Sequence, residues 1–173
     1  MNKGVIFDLD QTLIDSSCFE KLRQLRDWKS INAQIHNARE FPNVSDIIRF
    51  LNENGIKVSI VTSAPKSYCK SIINHFAWEI DFIVGYHDVA PHIKPNPRGY
   101  ELVLENLSLN IQETIVVGDR NIDIHAANSI GLKSIFCTYG NTDKNYFESS
   151  PTNIANSTNE LFKILVGFFE LTL

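Results

Sequence analysis

Four aspartates, a threonine and a lysine of this 173-residue chain stand where phosphoryl chemistry would need them. Asp8 closes the apolar run GVIFD, and Asp10 follows two residues later. Thr62 closes KVSIVT and Asp119 closes TIVVGD, with Asp123 four residues further on and Lys94 in the stretch KPNP. Asp is a common turn and capping residue, which accounts for any one of these positions. It does not account for the set, because clustered carboxylates repel and need a cation or a large pKa shift to coexist. A hard dication with oxygen ligands meets that need, and Mg²⁺ in an octahedral shell leaves room for waters and a phosphate oxygen. Asp8 is then ligand and nucleophile at once, since a carboxylate nucleophile forms an acyl phosphate and divides phosphomonoester hydrolysis into two easier steps. Asp10 is placed to protonate the leaving oxygen and later to deprotonate the attacking water. The Thr62 hydroxyl and the backbone N–H groups that follow, starting at Ser63, are donors for a phosphoryl group. Lys94, on a loop stiffened by prolines, is the candidate for the fixed positive charge.

Such residues converge only if the elements that carry them do. Unalternating Val/Ile-rich runs recur at residues 4–8, 57–62, 81–85, 114–119 and 134–138, as expected of strands buried on both faces. Helical segments separate them. Residues 44–54 carry Val44, Ile47, Ile48 and Leu51 at helical spacing, with Asn43 placed as cap and Gly55 as stop. Residues 97–107 and 122–130 read likewise, the latter ending before Gly131. Alternating strands and helices predict an α/β fold, a Rossmann-like three-layer sandwich with a parallel sheet of five or more strands. In an open parallel sheet, ligands bind at the carboxyl ends of the strands, where Asp8, Thr62 and Asp119 fall. Residues 141–157, rich in Asn, Ser and Thr, read as a loop, and Ser157 with Glu160 as a capping box before a last apolar helix.

The stretch FDLDQTL at residues 7–13 resembles the D-x-D-x-T signature of phosphatases in the haloacid dehalogenase (HAD) superfamily. VTS at residues 61–63, Lys94 in KPNP, and GDRNID at residues 118–123 are similar to that superfamily's second, third and fourth motifs, in order and over residues 3 to about 138. The resemblance implies Asp8 as nucleophile, Asp10 as general acid/base whose backbone carbonyl also binds Mg²⁺, and Asp119 on the metal. It implies Thr62, Ser63 and Lys94 on the phosphate, and Asp123 in support of the lysine or of a metal-bound water. Two positions depart from the pattern. Gln11 stands where Gly is frequent, with little effect expected, and Arg120 follows the metal-binding Asp, either as a solvent-facing charge or as a contact to an anionic substrate.

Within that superfamily a cap sets specificity. Residues 62–94 leave no room for one, whereas residues 14–41 allow one or two helices, so a single HAD-like domain spanning residues 1–173 is expected with a small helical cap insert at about 14–41. Ser17 and Glu20 have capping-box spacing, and Phe19, Leu22, Leu25, Trp28, Ile31 and Ile35 follow at helical spacing. A reduced cap leaves the cleft partly open to a phosphorylated small molecule or a more extended phosphorylated substrate. Arg23 and Arg26 of the insert would touch only what lies beyond the phosphoryl group.

The function expected is thus Mg²⁺-dependent hydrolysis of phosphomonoesters through an aspartyl-phosphate intermediate. A phosphomutase uses the same residues. A dehalogenase or phosphonatase is disfavoured because Asp10 is present, and a phospho-acceptor regulatory domain is disfavoured because the third strand ends in FIVGY rather than an acceptor Asp. A formal charge of −4 and a pI near 5.7 give no field for nucleic acid or anionic membrane. Residues 164–169 form the longest apolar stretch, against about 20 residues for a membrane span. With too short an N-terminal apolar run for a signal peptide, a cytoplasmic location is expected. Cys18, Cys69 and Cys137 lack disulfide or zinc spacing and are expected to be packing residues. His87 and His92 are too loosely spaced for a metal pair, and the apolar surface around the last helix leaves a homodimer contact open.

Overall fold

The structure, a computed structural model, describes residues 2–140 and 150–172. Strand β1 (Asn2–Phe7) leads into a segment bounded by the short strands β2 (Ile14–Asp15) and β3 (Arg39–Glu40), with helices α1 (Glu20–Gln24) and α2 (Trp28–Ala33) between them. Then come α3 (Val44–Glu53), β4 (Lys57–Val61), α4 (Lys66–Phe76), β5 (Phe82–Val84), α5 (Tyr86–Val89) and α6 (Arg98–Leu107). The chain continues with β6 (Leu109–Gly118), α7 (Asn121–Ser129), β7 (Lys133–Cys137), β8 (Asn153–Ala155) and α8 (Thr158–Phe169). Six strands pair in the order β5-β4-β1-β6-β7-β8, every neighbour parallel. Successive residues of β1 point to opposite faces. Val5 and Phe7 join one buried cluster with residues of α3, α4 and α8, while Ile6 joins the other with residues of α6 and α7. This is the expected Rossmann-like three-layer sandwich, with six strands in the sheet.

Several local expectations are corrected. The sixth strand, β8, lies in the stretch read as loop; residues 141–149 of that stretch lie outside the described residues. Ser17 does not cap a helix: its N–H and hydroxyl both donate to Asp15 Oδ1, at 3.0 and 2.5 Å, and it sits in a 3₁₀ turn before α1. The nearby carboxylate outcompetes the helix terminus for that hydroxyl. Asn43 occupies the cap position of α3 in a left-handed conformation without a capping bond; Glu40 instead accepts from the Ser45 N–H and hydroxyl. Cys69 and Cys137 are buried as expected, but Cys18 is exposed. Ser157 does accept from the Glu160 N–H, as expected, although Glu160 closes back on the Asn156 N–H, one residue early. Gly55 and Gly131 end α3 and α7 at φ 72° and 76°, which only glycine adopts without strain.

Candidate active site

Sheet register determines what meets at the carboxyl edge. Phe7 pairs with Ile60 on one side and Val117 on the other, so the residues just beyond, Asp8, Val61 and Gly118, are level. The Asp8 N–H still donates to Val117 O at 2.8 Å, and the Thr62 N–H to Val84 O at 2.9 Å, which keeps both residues in the rigid sheet while their side chains leave it. Gly118 is required by close approach: a Cβ there would lie 2.6 Å from the Asp123 carboxyl carbon. Asp123 can therefore fold back from the first turn of α7, where its Oδ2 accepts from the Arg120 N–H at 3.2 Å.

Lys94 ties the cluster together. Its buried ammonium donates to Asp8 Oδ1 at 2.5 Å, to Asp123 Oδ1 at 2.6 Å and to Val61 O at 3.0 Å. Carboxylate oxygens of Asp8, Asp119 and Asp123 lie within 4.8 Å of one another, all three residues buried. Thr12, the threonine of the first motif, donates to Asp119 Oδ1 at 3.2 Å. Three carboxylates against one ammonium leave negative charge uncompensated, and the titration behaviour follows. Burial pushes Asp8 up to about 6, with Lys94 opposing and Asp123 and Asp10 adding to the rise. Burial, then the charges of Asp8 and Asp123, push Asp119 up to about 8. Burial alone would lower the Lys94 pKa, yet Asp123 and Asp8 hold it well above the ordinary lysine value, so the ammonium stays charged. A buried acidic group with one cation too few is the environment a divalent metal relieves. The donor set, all carboxylate oxygen, suits Mg²⁺.

Asp10 is held differently. The Tyr68 hydroxyl donates to its Oδ1 at 2.9 Å, and Arg23 pairs with Oδ2 at 3.3 Å while also donating to Ser16 Oγ at 2.7 Å. Tyr68 comes from α4 and Arg23 from α1, so neither belongs to the loop that carries Asp10. The Thr62 hydroxyl accepts from the Ala64 N–H at 3.1 Å, leaving its proton for a ligand. A cleft of about 290 Å³ opens over Asp8, Asp10, Thr62, Ser63, Lys94 and Asp123, rimmed by Arg23, Arg26, Trp28 and Arg120.

All of the expected site residues thus line or underlie one edge, with Asp119 below the opening. Arg120 faces the cleft rather than bulk solvent alone. Arg23 departs from expectation: it holds Asp10 rather than only what lies beyond the phosphoryl group. Tyr68 was not anticipated, because a tyrosine on an amphipathic helix reads as core and only the fold brings it to Asp10.

Residues 17–137 match the family model described as haloacid dehalogenase-like hydrolase. The chain is 32% identical over 131 residues to the phosphoglycolate phosphatase of Escherichia coli strain K12, covering 72% of this chain and 50% of that protein. It is 29% identical over 129 residues to the phosphoglycolate phosphatase of Vibrio parahaemolyticus, with 72% and 56% covered. The chain spans about half the length of these curated relatives. Among solved structures, a hydrolase from Pseudomonas syringae aligns with a TM-score of 0.79 at 18% identity, over 96% of this chain and 99% of that one. A HAD phosphatase from Thermococcus onnurineus aligns at 0.77 and 22% identity, over 95% and 98%. At those identities the structures share the fold.

Proposed function

This chain belongs to the haloacid dehalogenase-like hydrolases, and from that premise we propose that it is a Mg²⁺-dependent phosphatase that hydrolyses phosphomonoesters through an aspartyl-phosphate intermediate. The observation that carries the reading is the Lys94 ammonium bridging Asp8 and Asp123 beside Asp119, at the floor of a cleft that Thr62 and Asp10 also line. Relatives named phosphoglycolate phosphatase support a phosphorylated small molecule as the substrate class. Among the described residues no helix is long and apolar enough to cross a membrane.

In the first step the Asp8 oxygen not held by Lys94 attacks phosphorus, and the bond from phosphorus to the leaving oxygen breaks as that oxygen takes a proton from Asp10. In the second, Asp10 takes a proton from water, the water oxygen attacks phosphorus, and the bond to Asp8 breaks to release phosphate. Arg23 and Tyr68 hold the Asp10 carboxyl in place between these transfers. Thr62, the backbone N–H of Ser63 and Lys94 orient the phosphoryl oxygens, and Asp123 fixes Lys94. Asp8, Asp119 and the Asp10 backbone carbonyl would hold Mg²⁺, which supplies positive charge against the phosphoryl oxygens and keeps the carboxylates ionised. Residues 14–41 act as a reduced cap, bringing Arg23 and Trp28 to the cleft.

Phosphate release from a panel of phosphomonoesters with Mg²⁺ tests the reading. Asp8→Asn, nearly isosteric but without a nucleophilic oxygen anion, is expected to abolish it. Activity above a few per cent in that variant would remove Asp8 from its role, and an isomer in place of inorganic phosphate would point to transfer onto a second hydroxyl.

A further inference from the structure

The cleft does not end above the phosphoryl site. Beside it lies a second cavity of about 170 Å³, lined by Arg26, Trp28, Ser63, Pro65, Tyr86 and His87. Arg26, Trp28 and Ser63 line both spaces, so the two adjoin at Ser63. Rings dominate the second one. Trp28 comes from the insert and is braced by Tyr68, with ring centroids 5.4 Å apart. Tyr86 and His87 come from α5, beyond the carboxyl end of β5, and meet edge to face at 5.1 Å. The Tyr86 N–H donates to Ala64 O at 2.9 Å, which anchors this wall to the loop that follows Thr62.

Arg26 stands where the two spaces meet. It is a non-glycine residue at φ 54°, a conformation that persists only where the surroundings impose it. Among the described residues no carboxylate pairs with its guanidinium. A cation of this kind stacks on a planar ring or bonds to its polar substituents.

We propose that this cavity is a leaving-group subsite, and that the preferred substrates are small phosphomonoesters whose alcohol carries one planar aromatic or heteroaromatic ring. The inference rests on the phosphatase reading and adds to it the chemistry of the alcohol. Size supports a single ring, since a cavity of about 150 Å³ accommodates benzene. The aromatic walls and the adjacent guanidinium supply ring faces, ring edges and a cation, all of which select unsaturated rings over aliphatic groups of similar bulk.

The test compares benzyl phosphate with cyclohexylmethyl phosphate, two primary alkyl esters of similar bulk that differ in planarity, and with 2-phosphoglycolate, which has no ring. Wild type with Mg²⁺ is expected to favour benzyl over cyclohexylmethyl phosphate by about fivefold, mainly through KM, the size expected of one ring–ring contact. Tyr86→Ala and His87→Ala are expected to bring that ratio toward one. Equal kcat/KM for the two esters in wild type, a ratio unmoved in the Tyr86→Ala/His87→Ala double variant, or a strong preference for 2-phosphoglycolate would overturn the proposal. Calorimetric binding of benzylphosphonate against methylphosphonate separates the two readings. Tighter benzylphosphonate binding that Tyr86→Ala abolishes, without turnover of any ester, would sustain the subsite while sinking the phosphatase; no difference between the two phosphonates would sink the subsite whatever the turnover.

Discussion

Replacing Lys94 by Met removes the one cation that the described residues place among three buried carboxylates, and keeps the unbranched stem. The Lys94 side chain is only 5% exposed, and its ammonium has three acceptors, at 2.5, 2.6 and 3.0 Å. Breaking a buried ion pair from one side typically costs about 3–5 kcal/mol, because the partner charge stays behind uncompensated. That cost is expected when Asp8 and Asp119 are ionised. At lower pH the carboxyls take up protons, and what remains is chiefly the loss of hydrogen bonds, about 1–3 kcal/mol. The direction follows from the raised carboxyl pKa values, about 6 for Asp8 and about 8 for Asp119 against 3.8. Acids whose pKa is raised on folding leave stability intact below the unfolded value, and stability falls as pH rises through the folded one. Without Lys94 those values rise further, so the gap between variant and wild type widens above about pH 6. Urea unfolding with a chelator at pH 5.5 and pH 8 measures the gap at each. A loss below about 1 kcal/mol at pH 8, or a gap that narrows with rising pH, would refute the view that Lys94 neutralises a buried acidic cluster.

Other expectations follow from neighbouring residues. Mg²⁺ should raise Tm more at pH 8 than at pH 6, since at pH 6 it must displace the proton that Asp119 holds up to about 8; equal shifts in thermal scans would count against Asp119 as a ligand. Tyr68→Phe and Arg23→Ala should each lower kcat by about tenfold, the worth of one hydrogen bond to a charged group, with a smaller effect on KM and a smaller loss for 4-nitrophenyl phosphate than for an alkyl phosphate. Equal losses for both substrates would deny these residues a part in positioning Asp10. Gln11 stands at φ 64°, so Gln11→Val should cost about 1–2 kcal/mol while Gln11→Gly stays within about 0.5, and urea unfolding of the pair decides it.

Asp8, Thr62, Asp119 and Asp123 were legible because each follows a strand or opens a helix, and strands buried on both faces announce themselves as unbroken apolar runs. Asp8, Thr62 and Asp119 needed only that reading. The edge strand β8 escaped it, since a three-residue strand with Ile154 44% exposed carries almost no apolar signal. Ser17 and Asn43 sat at sound capping positions, but Asp15 and Glu40 took over the bonding, and spacing alone does not rank competing acceptors. Gln11 gave a signal that sequence reading undervalued: where the resemblance expects Gly, the backbone indeed turns left-handed.

Contacts between distant segments were the least legible, and here they carry the chemistry of Asp10. Tyr68 is 58 residues away from it in sequence, and its hydroxyl would be counted as core trim on any helical wheel. Arg23 reads as a contact to whatever lies beyond the phosphoryl group, yet it reaches Asp10 Oδ2 and Ser16 because the β2–β3 pairing folds the insert back over the first loop. The same pairing brings Trp28 against Tyr68, so one aromatic contact joins the residue that steadies the acid to the wall of the adjoining cavity. A ligand that displaces Trp28 therefore bears on Tyr68, and through it on Asp10. On the proposed reading the insert would supply both specificity and acid–base geometry, which is why a change in Arg23 should register in kcat rather than in KM alone.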